Sequence, residues 1–380
     1  MANMLSIMIN KNNEKKIEKN PPKLFKVSKC ISKESHINLA HSSLNAYIDN
    51  AFSIFKSIDN KYFLIFSHTP DYINYSLIIY DLLYQQIIIK RFNAHDDRIY
   101  TCRHYFYEKN KNDLLITSSF DKFIKIWNIT QNFSLMYKLK PDYDYKINTY
   151  LLAENLLFYQ NLYILTSAYE IHSDGYEILF YDISKNIFQR KEIELINSKD
   201  NTNYLDVYYE KDTPNILAGN YGNIKIFDFP KKKLIKKFHD NHKKINYYSV
   251  IIKENEILNK KTLIATGPDG ILRIWDYSNS NLLHKIEDKK INYDCVGLCL
   301  LNKQFILAAS TEGNILEYDL YSNKLVEEFN RNNNENYDDN DFNNYKIDPL
   351  FSIKKYEINE KQYFITHSHK GFIELWEKKE

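Results

Sequence analysis

Glycine is scarce in this chain, with 8 residues in 380, near 2% where about 7% is usual. None is spare, so the place of each is informative. Cysteine is nearly as rare. Cys30, Cys102, Cys295 and Cys299 are too sparse for a disulfide framework, which points to a reducing compartment. Cys295 and Cys299 stand four apart, but no second Cys or His pair completes a zinc site, so they read as small buried hydrophobes. No run approaches the roughly 18 apolar residues that span a bilayer. The apolar stretch at 4–9 is too short for a secretory core and has no cleavage site. Charge of one sign is lacking too. A net charge of +2 with 26% charged residues leaves no global field toward nucleic acid or membrane. An intracellular protein is expected, in the cytoplasm in preference to the nucleus, without metal or cofactor.

What is present is a repeat. An apolar strand, a polar turn and an alternating strand end in an aromatic followed by an acid or amide. The clearest copy runs from Leu114 to Asn128, and others run over 215–228, 262–276, 305–319 and 363–377. Weaker copies occupy 164–182 and 62–81. The closing aromatics are Tyr80, Trp127, Tyr181, Phe227, Trp275, Tyr318 and Trp376, spaced 43 to 58 residues apart. Paired strands at that period match the ~40–45-residue unit of propeller blades with loop insertions, whereas ankyrin or tetratricopeptide units are shorter and helical. Gly222, Gly270, Gly313 and Gly371 lie five residues before their aromatics, and Gly175 lies six before. A tight hairpin needs positive φ at such a place. The expected fold is all-β: a seven-bladed β-propeller of four-stranded antiparallel blades over 23–380.

The last copy ends at Trp376 with no outer strand of its own. A spare strand lies at 24–31, so the N-terminal segment is expected to complete the seventh blade and close the ring. Residues 1–22 are polar and rich in Lys and Asn, and 331–345 are of low complexity. Both bury too little apolar surface to order themselves and are expected to be a disordered tail and a disordered loop insertion.

Ala94 to Tyr100 resembles the Gly-His step of WD repeats with Ala for Gly, and 115–128 supplies a Ser, an Asp and a Trp. The resemblance to the WD-repeat family implies a hydrogen-bonded tetrad, mapped here as His95, Ser119, Asp121 and Trp127. In the fifth repeat His242, Asp269 and Trp275 correspond, with Gly267 where the hydroxyl would be. Tyr221, Glu312 and Lys370 stand where other repeats would carry the Asp. The family implies a scaffold function, and fold alone does not fix more.

A Ser, a His and an Asp together invite a hydrolase reading, but recurrence within the repeat explains them structurally. No nucleophile elbow, phosphate loop or zinc-protease motif occurs, so no catalytic residue is assigned. His36, His41, His367 and His369 read as surface or turn residues. Lys231 to Lys244 holds seven lysines in fourteen residues. It could meet RNA phosphates or anionic lipid, although lysine on an outer strand also discourages edge pairing. In ubiquitin-ligase adaptors of this family an Arg often stands two residues beyond the Trp-Asp pair; Thr130 and Ser278 occupy those positions. By analogy with the family, partners dock where Arg98, Tyr100 and Phe120 flank the second blade. Lys244 and Asn246 are the fifth-blade equivalents, and Thr311 and His369 precede the turns of blades six and seven. An exposed Phe, Tyr and Arg together have the composition of a hot spot. The expectation is a protein–protein interaction scaffold, monomeric within a hetero-complex.

Overall fold

A computed structural model describes residues 25–33, 52–57, 61–68, 75–84, 86–97, 99–119, 121–140, 151–170, 175–183, 194–197, 202–240, 245–255, 259–287, 294–330, 348–358, 361–368 and 372–378. The tail and the loop insertion expected at 1–22 and 331–345 lie outside them. Among the described residues the regular structure is β, in seven four-stranded antiparallel sheets arranged as a propeller. The strands form because β-branched and aromatic residues recur along them, and middle strands such as Asn112–Ser119 and Ile124–Asn128 are buried on both faces between neighbours, whereas outer strands such as Ser134–Leu139 are largely exposed.

Strand β1 (Phe25–Lys33) is followed by blade 1: β2 (Phe52–Lys56), β3 (Tyr62–His68), β4 (Tyr75–Asp81) and β5 (Gln86–His95). Blade 2 holds β6 (Ile99–Tyr107), β7 (Asn112–Ser119), β8 (Ile124–Asn128) and β9 (Ser134–Leu139). Blade 3 holds β10 (Leu151–Tyr159), β11 (Asn161–Glu170), β12 (Gly175–Asp182) and β13 (Glu194–Asn197). Blade 4 holds β14 (Thr202–Glu210), β15 (Thr213–Asn220), β16 (Asn223–Asp228) and β17 (Lys233–His239). Blade 5 holds β18 (Ser249–Asn255), β19 (Lys260–Thr266), β20 (Leu272–Asp276) and β21 (Leu282–Ile286). Blade 6 holds β22 (Cys295–Leu300), β23 (Phe305–Ser310), β24 (Asn314–Asp319) and β25 (Lys324–Asn330). Blade 7 holds β26 (Leu350–Ile358), β27 (Lys361–Ser368) and β28 (Phe372–Lys378), and its sheet order is β1-β28-β27-β26. Val27 lies opposite Trp376 and Lys33 opposite Phe372.

The core is not one mass but seven apolar clusters, each between two consecutive blades. One joins blades 1 and 2 through Ile79, Ala94, Leu115 and Trp127, and another joins blades 7 and 1 through Phe52, Tyr80, Ile365 and Leu375. The seven closing aromatics all fall on third strands, and each buries its ring against the preceding blade. This accounts for the recurring residue: one large ring per blade fills the wedge that opens outward between two sheets. A ring so placed contributes about 1.5–3 kcal/mol by burial.

Two kinds of bulge recur. In the outer strands of blades 1, 2, 4, 5 and 6 the register shifts at the closing aromatic, leaving Ile88, Met136, Ile235, Leu283 and Val326 as extra residues. In the inner strands of blades 2, 3, 4, 6 and 7 it shifts near the start. Gly222, Gly270 and Gly313 have φ of 82°, 65° and 78°, as the hairpins require. Gly371 lies outside the described residues, and Gly175 begins β12 opposite Glu170 instead of occupying the turn. Gly267 serves packing: a Cβ there would sit 2.3 Å from the Asn246 carbonyl oxygen.

Candidate functional site

Blade 2 assembles the polar set, with one correction. His95 ends β5, the outer strand of blade 1, and its buried ring reaches across to blade 2. Its Nδ1 lies 2.8 Å from Asp121 Oδ2 and its Nε2 lies 2.8 Å from Thr117 Oγ1. Trp127 Nε1 donates to the same Thr117 oxygen at 2.9 Å. The hydroxyl of the tetrad is therefore Thr117, not Ser119. Trp127 pairs across the sheet with Leu115, so its indole reaches the neighbour two residues on, not four. Ser119, on the same strand face, instead closes the turn: its Oγ donates to the Asp97 carbonyl at 2.8 Å and accepts the Asp121 amide at 3.0 Å.

The direction of the chain follows from its ends. An indole N–H only donates, so Thr117 must pass its own hydrogen to His95 Nε2. Neutral His95 then holds its hydrogen on Nδ1 and donates it to the Asp121 carboxylate. Burial holds the His95 pKa below its usual value, against the opposing pull of Asp121. Burial raises Asp121, but the bond to His95 and the amides of Asp96 and Phe123 outweigh it and hold the carboxyl at about 2. Neighbouring Lys125 is lowered by burial and donates to the Ala94 carbonyl.

The misread hydroxyl column has consequences elsewhere. In blade 5 the residue opposite Arg273 is Ala265, as Thr117 is opposite Lys125. The position lacking a hydroxyl is therefore Ala265, not Gly267. Trp275 accordingly donates to the His239 carbonyl at 3.2 Å. His242 lies outside the described residues. Asp269 is held at 2.6 Å by buried Arg273, which also binds Asp240 at 2.9 Å. Blade 7 keeps the indole bond, Trp376 to Thr366 at 2.9 Å, and Thr366 turns to Glu374 at 3.3 Å. His367 is a further correction. It is buried in β27 with its ring centroid 6.4 Å from that of Phe52, so it belongs to the blade 7–1 wedge and not to the surface.

Of the expected docking residues, Arg98, Phe120, Lys244 and His369 lie outside the described residues. Tyr100 is the extra residue of the β6 bulge. Asn246 forms a bridge with the exposed Tyr221, and the Thr311 amide donates to the Asp294 carbonyl at 3.0 Å. On the basic strand, Lys231 pairs with Asp228 at 2.7 Å, and Lys236 donates to the Ser278 carbonyl at 3.0 Å while lying over the Tyr277 ring. The Thr130 hydroxyl accepts the Asp113 amide at 2.8 Å, a local role inside blade 2.

The inner strands bring together a set that reading by repeats missed. They line an open central cavity of about 400 Å³, whose polar lining includes Arg103, Asn155, Asp206, Lys354 and Lys355. Arg103 of blade 2 and Asn155 of blade 3 both bind Asp206 of blade 4, at 3.2 and 2.7 Å. Adjacent lysines of blade 7 diverge: Lys354 donates to the Phe52 carbonyl of blade 1, and Lys355 to the Leu301 carbonyl beside blade 6. Inner strands carry none of the repeat's signature residues, so only alignment of their midpoints could have exposed the set. Among the described residues no group of His, Cys, Asp or Glu could hold a metal ion, and no helix is long and apolar enough to cross a membrane.

Comparison with known proteins agrees with the geometry. Residues 86–128 match the family described as WD domain, G-beta repeat, a stretch that spans His95, Thr117, Asp121 and Trp127. Among 1301 matching solved chains, the crystal structure of Chaetomium thermophilum Raptor aligns with a TM-score of 0.59 at 13% identity, over 88% of this chain and 28% of that one. The likeness is one of fold, and this chain spans less than a third of that protein's length. No curated protein matches the chain.

Proposed function

We propose that this seven-bladed propeller, with a WD repeat in its second blade, is a non-enzymatic platform. It holds protein partners in a larger assembly as a single copy. Propellers with repeats of this kind generally serve as protein-interaction scaffolds. The observation that carries the reading is the state of blade 2. Its indole, hydroxyl, imidazole and carboxylate bond in a line from Trp127 to Asp121, and both ring nitrogens of His95 are engaged. That use is structural, since a catalytic serine or threonine would have to face a substrate. Tyr100 stands on a bulge at the start of an inner strand.

Affinity capture of the tagged protein from its own cells, with crosslinking at moderate salt, tests the reading. Defined protein partners should crosslink around Tyr100 and Lys244. The triple variant Arg98→Ala, Tyr100→Ala, Phe120→Ala should lose them with an unchanged melting temperature. Capture unaltered in that variant, or RNA or lipid recovered through Lys231 to Lys237 and lost at higher salt, would overturn it.

A further inference from the structure

We infer that the outer corner of blade 1 docks an acidic amphipathic helix of a protein partner, on Leu83, Tyr84, Ile87 and Ile88. The inference rests on the scaffold reading and adds a second surface to it. Among the described residues twelve large apolar side chains stand exposed, and these four fall within six consecutive positions. Tyr84 at 67% and Ile87 at 56% are the most exposed of the twelve. The turn after the closing aromatic is held alike in five blades, where an acid or amide accepts a main-chain amide that follows it. Asp81 accepts those of Leu83 and Tyr84 at 2.8 and 2.9 Å. Asn128, Asp228, Asp276 and Asp319 do the same for Gln131, Lys231, Ser278 and Tyr321. The second and third residues after that group are Thr130-Gln131, Pro230-Lys231, Ser278-Asn279 and Tyr321-Ser322 in those four blades, and Leu83-Tyr84 in blade 1. Of the five turns, that of blade 1 alone carries two large apolar side chains. Packing within the chain does not account for them, since both are exposed, and their backbone is fixed before any partner arrives.

Charge and strand geometry select the occupant. The Leu82 amide donates to the Tyr62 carbonyl at 3.0 Å, which sets the turn against the hairpin of β2 and β3. Among the described residues the exposed charges of that hairpin are Lys61 and Lys56, whose ammonium lies over the Tyr62 ring at 5.4 Å. Asp81 is buried and committed to the turn amides. Carboxylates bordering an apolar stripe complement such a corner. The bulge at Ile88 breaks the regular edge that strand addition needs, so a helix with apolar residues on one face is the form that fits. Ten residues of β5 separate this turn from the entry of blade 2. The corner thus stands roughly 30 Å from Tyr100, and a helix seated here leaves that end for a second partner.

Photo-crosslinking of the full chain in its own cells tests the inference, with Tyr84→p-benzoylphenylalanine as the probe and crosslinked peptides read by mass spectrometry. The expected product is a segment of another protein with apolar residues at helical spacing and Asp or Glu beside them. A synthetic peptide of that segment should bind the purified chain in fluorescence anisotropy. Leu83→Ser together with Ile87→Ser should weaken binding by about tenfold or more, as loss of hot-spot contacts requires. Lys61→Glu should weaken it by about threefold, the scale of an exposed ion pair. Melting temperatures should not change, because these side chains are exposed; if the double variant melts early, Tyr84→Ser supplies the weakened arm. Crosslinks to a second copy, to residues 1–24 of this chain, to lipid or to a segment without acids would overturn the inference. So would the absence of a crosslink, or a peptide indifferent to the variants. Protein crosslinked around Tyr100 but not at position 84 would defeat this inference alone, whereas no protein at either place would defeat the scaffold reading with it.

Discussion

Thr117 and Ser119 stand two residues apart on one strand face, yet they do different work. Thr117 joins an indole to an imidazole inside the sheet, while Ser119 ties down a turn at its end. Thr117→Val leaves two buried groups without partners and should cost about 2–6 kcal/mol, at ~1–3 per group. Ser119→Ala should cost about 1 kcal/mol, the worth of an ordinary bond. Urea unfolding of both variants checks the order. The series also responds to acid. Because His95 is held below 6.5, the unfolded chain takes up a proton first, and stability present above that pH is lost as pH falls through it. Asp121, lowered from 3.8 to about 2, adds a second loss between those values. Melting curves from pH 7.5 down to 5.5 should therefore fall for the wild type and stay flatter for His95→Asn. The residue types of this set were legible in the sequence. The choice between two hydroxyls was not, because it depends on which one lies diagonally across from Trp127, and register is a property of the paired strands.

At the scale of the element, a strand's surroundings decide what its residues mean. The scarce glycines on β-hairpins were readable from spacing, since only a turn with positive φ explains their offset from the aromatic. Gly267 was misassigned because its reason is a neighbouring backbone. Gly267→Ala would force a Cβ to within 2.3 Å of the Asn246 carbonyl, and overpacking of this kind costs about 1–3 kcal/mol. Gly219→Ala, whose Cβ would lie 2.9 Å from the Tyr247 oxygen, should cost less in the same unfolding assay. The outer strands show a feature no single repeat announces. Five blades insert an extra apolar residue at one place, and Ile88, Ile235 and Val326 are left exposed there. A bulged edge is twisted and offers a poor template to another strand. The bulge thereby works against edge-to-edge pairing at the strands that carry the exposed Ile88 and Ile235.

For the whole molecule, seven separate wedges replace a central core, so stability rests on every blade having two neighbours. The count and order of blades could be read from seven aromatics, because each is the one large ring its wedge needs. The channel lining could not, since its residues meet only once the ring exists. Deleting 20–32 removes β1 from beside β28 and should lower the melting temperature of the entire ring, not of one blade. A melt unchanged by that deletion would mean that blade 7 holds with three strands. Lys354 and Lys355 add a consequence of another kind. Neighbouring residues on a strand point to opposite sides, and these two reach opposite neighbours. One residue inserted or lost just ahead of them in β26 would send each lysine toward the wrong blade. Length variation in descendants of this chain should therefore collect between strands, as the uneven spacing of its repeats already shows, and spare the middle of β26.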